Sequence, residues 1–293
     1  MTERWYRRRG RGGAVVAAAG LVAGGCLGAT GCSGAGGAAG VADGAAGTGD
    51  ARGGEAVRLV RGAADALREA GSSKARTSME MATGGTRVTI RGEGVYDYRR
   101  QRGRLTVLLP QDPAGTSEHR PITELLAPGA LFMKHRGAGV PDDKWVRVET
   151  ATLSDGNLVT GGATDPFAAA EVLRGARTVA YVGRTAVAGT AVRHYRGTAD
   201  LVVAAEAEGA SAGSRGALAA AARGFATARV PFDVYLDDAG RIRKVRHRFS
   251  FVNGRQAEAV AVASTTLLYD FGAPADVRLP AARDIFAGRI AED

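Results

Sequence analysis

Apolar and polar positions alternate along the chain in three rhythms. Residues 14–23 (AVVAAAGLVA) are unbroken apolar or small residues behind a polar, arginine-rich stretch, 1–13. From Glu55 to Ala70, Val57, Val60, Ala64 and Leu67 recur at helical spacing and Gly71 ends the run, which predicts an amphipathic helix. Beyond it the period drops to two. Arg87 to Tyr98 places Val88, Ile90, Gly92, Gly94, Tyr96 and Tyr98 on one face and Arg87, Thr89, Arg91, Glu93, Val95 and Asp97 on the other. The same alternation runs through 104–109, 130–135, 144–149, 177–182, 185–200, 229–237, 241–251 and 258–271. About nine strands with short connections predict a large antiparallel sheet with one dry face and one wet face.

Two further helices are expected among the strands. Asp165-Pro166 supplies a capping carboxylate and a first-turn proline ahead of 167–174, and the alanine-rich run 215–226 is the other. Asp237-Asp238-Ala239-Gly240, between two alternating runs, reads as a hairpin turn; the remaining ligands of a calcium loop are missing. One amphipathic sheet, no parallel strand–helix–strand rhythm, and helices at the start and middle predict an α+β fold, with a curved sheet wrapped around helices.

The first rhythm is an address. A basic region, an apolar core and small residues leading to a cysteine are the order of a secretory signal. The apolar run is shorter than a bilayer-spanning helix needs and is diluted by glycine. A cysteine after small residues resembles the lipobox of bacterial lipoproteins, in which the thiol receives diacylglycerol. Two cysteines compete: Cys32, after Ala29-Thr30-Gly31 and before Ser33-Gly34, is favoured over Cys26, which is followed by Leu27. The expected organisation is a lipoprotein signal peptide at 1–31, an acylated cysteine and flexible Gly/Ala tether at 32–54, and one domain at 55–293. A Gly34-x-Gly36-x-x-Ala39 in the tether imitates a dinucleotide fingerprint, but no strand precedes it and no helix pattern follows.

Composition supports this division. Of the 43 glycines in 293 residues, 17 fall within the first 54, so the remainder has an ordinary globular composition. Arg4, Arg7, Arg8, Arg9 and Arg11 against Glu3 account for +4 of the net +9, leaving a mildly basic body. Both cysteines precede the domain at 55–293, so it needs no disulfide or thiol chemistry. These features argue against a disordered chain, a multi-span membrane protein and a disulfide-stapled miniprotein.

The order of elements carries a resemblance. An initial helix, a long sheet and the Asp165-Pro166 helix are followed by Val182-Gly183-Arg184-Thr185-Ala186-Val187-Ala188-Gly189-Thr190 with His194-Tyr195, and by the hairpin 230–245 with Asp238-Ala239-Gly240-Arg241. Together, over about residues 55–290, they resemble actinobacterial lipoproteins of the LppX/LprG type, which share the LolA-like fold. The resemblance implies an unclosed, strongly curved antiparallel β-barrel, a half-barrel with helices across its concave face. It also implies an apolar cavity for the acyl chains of a lipid or glycolipid, on the outer face of the cell membrane. By alternation, the candidate lining residues are Val88, Ile90, Tyr96, Leu105, Val107, Leu131, Met133, Val179, Tyr181, Val230, Phe232, Val234, Phe249 and Phe251. Simple core packing would produce the same pattern. Gly92, Gly94, Gly189 and Gly197 on the same face leave room for a ligand, or mark bulges and tight curvature.

Catalytic signals are thin. Gly209-Ala210-Ser211-Ala212-Gly213 imitates a nucleophile elbow, but the sheet reads antiparallel and the later histidine, His247, sits on a basic strand. His119, His135, His194 and His247 have no metal-ligand spacing. No enzyme activity, cofactor or metal is expected, and no nucleic-acid partner, since no aromatic stacking platform accompanies the charge. On 241–248, Lys244, Arg246 and Arg248 share a face, either a solvated sheet surface or an attraction for anionic lipid headgroups. The alternative to a lipid carrier is an envelope sensor that uses the same fold to bind a protein partner.

Overall fold

The computed structural model describes residues 44–83, 86–110, 120–137, 139–252 and 259–288. The leader, with Cys26 and Cys32, and most of the tether lie outside these residues. Helix α1 (Gly44–Arg61) breaks at Gly62 into α2 (Ala63–Ala70). It starts inside the segment expected to be tether, because a helix once nucleated by a packed end adds turns at little further cost. Val60, Ala63, Ala64 and Leu67 are its fully buried stripe, and Gly71, at φ +84°, closes it with its N–H on the Leu67 and Arg68 carbonyls.

Six strands then meander: β1 (Ser72–Thr83), β2 (Thr86–Asp97), β3 (Arg102–Leu108), β4 (Ile122–Ala127), β5 (Ala130–Lys134) and β6 (Trp145–Glu149). Helix α3 (Pro166–Val172) leads to β7 (Ala176–Val187) and β8 (Thr190–Asp200). Helices α4 (Leu201–Glu206) and α5 (Ala212–Gly224) precede β9 (Arg229–Leu236), β10 (Ile242–Val252) and β11 (Ala259–Tyr269). All eleven strands form one antiparallel sheet in the order β6-β5-β4-β3-β2-β1-β11-β10-β9-β8-β7. Its ends, β6 and β7, do not pair, so the barrel is open. Val146 of β6 and Tyr195 of β8, near opposite ends of the sheet, belong to one continuous core with the helices. The sheet therefore wraps around them.

Strands β1 and β4 escape the sequence reading. In β1 the inward positions are Ser73, Ala75, Thr77 and Met79, too polar to stand out, and the β4 run Ile122-Thr123-Glu124-Leu125-Leu126 carries an acid at an inward position. The break expected at Gly183-Arg184 is instead an irregularity inside β7, where the register shifts between Tyr181 and Gly183; the turn follows at Ala188-Gly189. Of the four glycines assigned to the inward face, Gly189 lies instead in the β7–β8 turn at φ +79°, and Gly92, Gly94 and Gly197 leave no space. A Cβ on Gly92 would stand 2.6 Å from Thr77 Oγ1, and one on Gly197 would stand 2.7 Å from the Phe232 ring, so both mark close approach.

The C-terminal segment crosses the outer face. Val277, Leu279 and Ile285 pack with Leu125, Phe132 and Trp145 in a small second cluster, and Phe286 N–H bonds to the Trp145 carbonyl at the β6 edge. That covers an otherwise bare edge strand.

Candidate functional site

The concave face is built by alternation from nearly every strand. Val88, Ile90 and Tyr96 of β2, Leu105 and Val107 of β3, Leu131 and Met133 of β5, Val179 of β7, Val230, Phe232 and Val234 of β9, and Phe249 and Phe251 of β10 all join the core beneath the helices. Tyr181 does not. It is 54% exposed on the edge strand β7, with its ring beside that of Tyr195, ring centroids 5.5 Å apart.

The roof over this face is made of small side chains. Helix α3 buries Ala169, Ala170 and Val172 behind Phe167, and α4 and α5 bury Ala204, Ala205, Ala217, Leu218, Ala220 and Ala221. Asp165 caps α3, its Oδ1 accepting the Phe167 and Ala168 N–H groups at 2.7 and 3.1 Å, while the Tyr96 hydroxyl donates to Oδ2. Burial lifts the Asp165 carboxyl to about 6 against those hydrogen bonds. Ser211 caps α5, accepting the Ser214 N–H and donating its hydroxyl to Ser214 Oγ. The imitation nucleophile elbow is therefore a helix start, and His247 is on the concave face beside Phe249 rather than at Ser211.

A buried ion network clamps the roof. Arg174 forks onto Asp65 at 2.9 and 2.6 Å and donates through Nε to Glu171 at 2.8 Å; Arg68 reaches both acids; the second Glu171 oxygen accepts the Ser211 N–H at 2.9 Å. Helices α2, α3 and α5 are thus tied at one point. The Arg174 bond holds Asp65 below its usual value, against the burial that would raise it. Burial disfavours the Arg174 charge, and the two acids outweigh it.

Between α3 and β6, the loop 153–164 fills the mouth. Asp155 folds it, accepting the N–H groups of Asn157, Val159 and Thr160. Beneath it Glu124 points inward, fully buried, and among the described residues neither of its oxygens nor Asn157 Nδ2 has a hydrogen-bond partner. Burial pushes the Glu124 carboxyl up to about 8, with the Arg136 charge opposing. Arg136 in turn ties the loop by bonds to the Thr160 and Gly161 carbonyls. Sequence reading missed Glu124; its signal was an acid at the inward position between Ile122 and Leu126. His247, also inward, has its charged form suppressed to about 3 by burial, and its Nε2 has no partner.

The roofed face is packed. A void of about 30 Å³, room for about one water, lies among Tyr96, Leu126, Asn157, Asp165, Phe167 and Ser214. Among the described residues no cluster of ligating side chains could hold a metal, and no helix is long and apolar enough to cross a membrane.

The fold is an open antiparallel half-barrel roofed by helices. No protein-family model matches the chain, and no curated protein matches it. Among solved structures, the lipoprotein LppX of Mycobacterium tuberculosis is similar over 77% of this chain and 99% of its own, at 10% identity and a TM-score of 0.44. LprF of Mycobacterium bovis is similar over 78% and 98%, at 16% identity and a TM-score of 0.41. A LolA-superfamily protein of Nitrosomonas europaea is similar over 73% and 94%, at 10% identity and a TM-score of 0.33.

Proposed function

We propose that this chain is an exported lipoprotein of the LppX/LprG type, held to the outer face of the cell membrane by acyl chains on Cys32, with Cys26 the alternative. Its half-barrel binds or carries the acyl chains of a lipid or glycolipid without covalent chemistry. The observation that carries the reading is the concave face: one apolar surface drawn from strands across an unclosed sheet, covered by short alanine-rich helices. Apart from Phe167, Val172, Leu201 and Leu218, these helices meet the strands below through alanines, and an ion network ties α2, α3 and α5 together. Such a roof can be lifted by a chain that replaces its apolar contacts. The packed interior is then the unliganded state, and acyl chains enter between roof and sheet.

Protein purified from its native host and measured by mass spectrometry under native conditions is expected to carry acyl lipid. Its mature N-terminus is expected to be an acylated cysteine, which decides between Cys32 and Cys26. Lipid-free protein that instead retains a protein partner on pull-down overturns the carrier reading in favour of an envelope sensor.

A further inference from the structure

The outer face of the sheet divides into two unlike halves. Over β3–β6 its apolar side chains, Leu125 and Phe132, are covered by the C-terminal segment. Over β10, β11, β1 and all of β2 but Val95, no described segment packs as a second cluster, and the charged side chains are mainly basic. Cross-strand register sets out the rows. Arg246 of β10, Thr265 of β11, Ser78 of β1, Arg91 of β2 and Leu108 of β3 stand side by side; the next row is Lys244, Leu267, Arg76, Glu93 and Thr106. Small residues form the floor and larger ones the walls, leaving a groove of about 470 Å³ lined by Arg76, Ser78, Arg91, Glu93, Leu108 and Leu267. That volume is in the range of ligand-binding clefts, about 300–1,000 Å³. Leu108 is 51% exposed, an apolar side chain left in water on a strand.

Cations outnumber acids here. Arg196 and Arg248 both bond Asp233 at 2.9 Å, so one nearly buried acid answers two exposed guanidinium groups, with His194 as its third partner. Arg246 lies 3.7 Å from Glu80 and Arg76 lies 3.7 Å from Glu93, both exposed pairs of little strength. Arg76 also stacks over Tyr269, and Lys244 over Tyr235, arrangements that place a cation above an apolar body.

We propose that this half of the outer face is a docking surface for an anionic phospholipid leaflet. Arg246 and Arg91 are three strand spacings apart, about 14 Å, so they meet separate headgroup phosphates. The groove between them, and Leu108 on the far side of Arg91, take the apolar part of the interface. Arginine forks onto phosphate, and an exposed leucine beside arginine is the pattern of surfaces that lie on bilayers. An acidic protein would match the charge but leave the leucine-walled groove without a function, so the leaflet is the occupant that uses both features. The inference does not depend on what the concave face holds.

The full-length chain is mixed with sedimenting vesicles of phosphatidylcholine alone or with about a third phosphatidylglycerol, beside the double variant Arg91→Gln with Arg246→Gln. The leader contributes equally to parent and variant, so only the difference is read. Each cation near an anionic surface is worth about 1 kcal/mol, so losing two lowers partition onto phosphatidylglycerol vesicles by about 30-fold. Partition onto phosphatidylcholine vesicles stays unchanged, and added salt removes the difference. Leu108→Ser, which keeps every charge, lowers partition onto both vesicle types. Arg91 is exposed and Arg246 half-buried, and unchanged melting curves confirm folding of the double variant. Equal partition of parent and double variant onto phosphatidylglycerol overturns the proposal, as does a salt-insensitive parent. Capture of an acidic protein that the double variant no longer binds, with no preference between vesicles, would also overturn it. Lipid bound inside the half-barrel would survive every one of these changes, which separates the two readings.

Discussion

Glu124 brings two oxygens into the interior of β4 with no hydrogen-bond partner for either among the described residues, and its carboxyl responds as elementary electrostatics requires. Its folded value, about 8, is above the ordinary 4.5, so the unfolded chain ionises first as pH rises. Its contribution to stability is full below pH 4.5 and is lost between 4.5 and about 8. Glu124→Gln is expected to melt at a higher temperature than the parent at pH 8 and nearly alike at pH 4.5, with an upper bound of about 5 kcal/mol on the pH-dependent difference. Parallel melting curves across that range would show that the carboxyl ionises freely in the fold. His247 acts in the opposite sense: depressed from 6.5 to about 3, it stabilises above pH 6.5 and loses that contribution as pH falls. The inward periodicity that located Ile122 and Leu126 also locates Glu124, but sequence alone cannot say that nothing bonds it, since its surroundings come from a loop 29 or more residues downstream.

At the scale of elements, the Asp165 helix start was readable because a cap is local chemistry: Asp165 accepts N–H groups two and three residues ahead, whatever else the chain does. The start of α5 was not readable: the alanine-rich pattern places that helix at 215–226, whereas Ser211 caps a helix that begins at Ala212. The clamp between the helices was not readable. Asp65, Glu171 and Arg174 belong to three turns separated by as many as 109 residues, and each alone is an ordinary helix-surface charge. Glu171→Ala leaves Arg174 buried beside one acid and orphans the Ser211 N–H. Breaking a buried pair from one side costs about 3–5 kcal/mol, read as a lower denaturation midpoint at constant m-value. A loss below about 1 kcal/mol would show that the network is solvated and does not hold the roof. Under the proposed function, the same variant admits lipid more readily.

For the whole molecule, an open barrel has two edge strands to protect. Edge β6 is met by the C-terminal segment through the Trp145–Ile285 bridge, and that segment also covers Phe132 and Leu125. Ending the chain at Pro274 is expected to expose both, raising binding of a hydrophobic dye and promoting association at high concentration, with the concave core intact. Unchanged dye binding would show that the segment is dispensable. Edge β7 keeps Tyr181 and Val182 about half exposed, so of the fourteen residues that alternation assigned to the concave face, one belongs to a rim.

Sequence by itself determined the architecture: alternation at period two, caps and turn residues are imposed by contacts between near neighbours, and they call for one antiparallel sheet with a dry face and a few helices against it. Asp237, whose Oδ1 accepts the Ala239 and Arg241 N–H groups, forms its turn from five consecutive residues. Tertiary structure alone decided three things. Glycines on the inward face are closed over by Thr77 and the Phe232 ring rather than left as space. The acids of α2 and α3 converge on one arginine. The convex rows gather arginines from β10, β1 and β2 around a groove. All three depend on register and curvature across strands distant in sequence, and a pattern of alternate positions is the same for every register and every curvature.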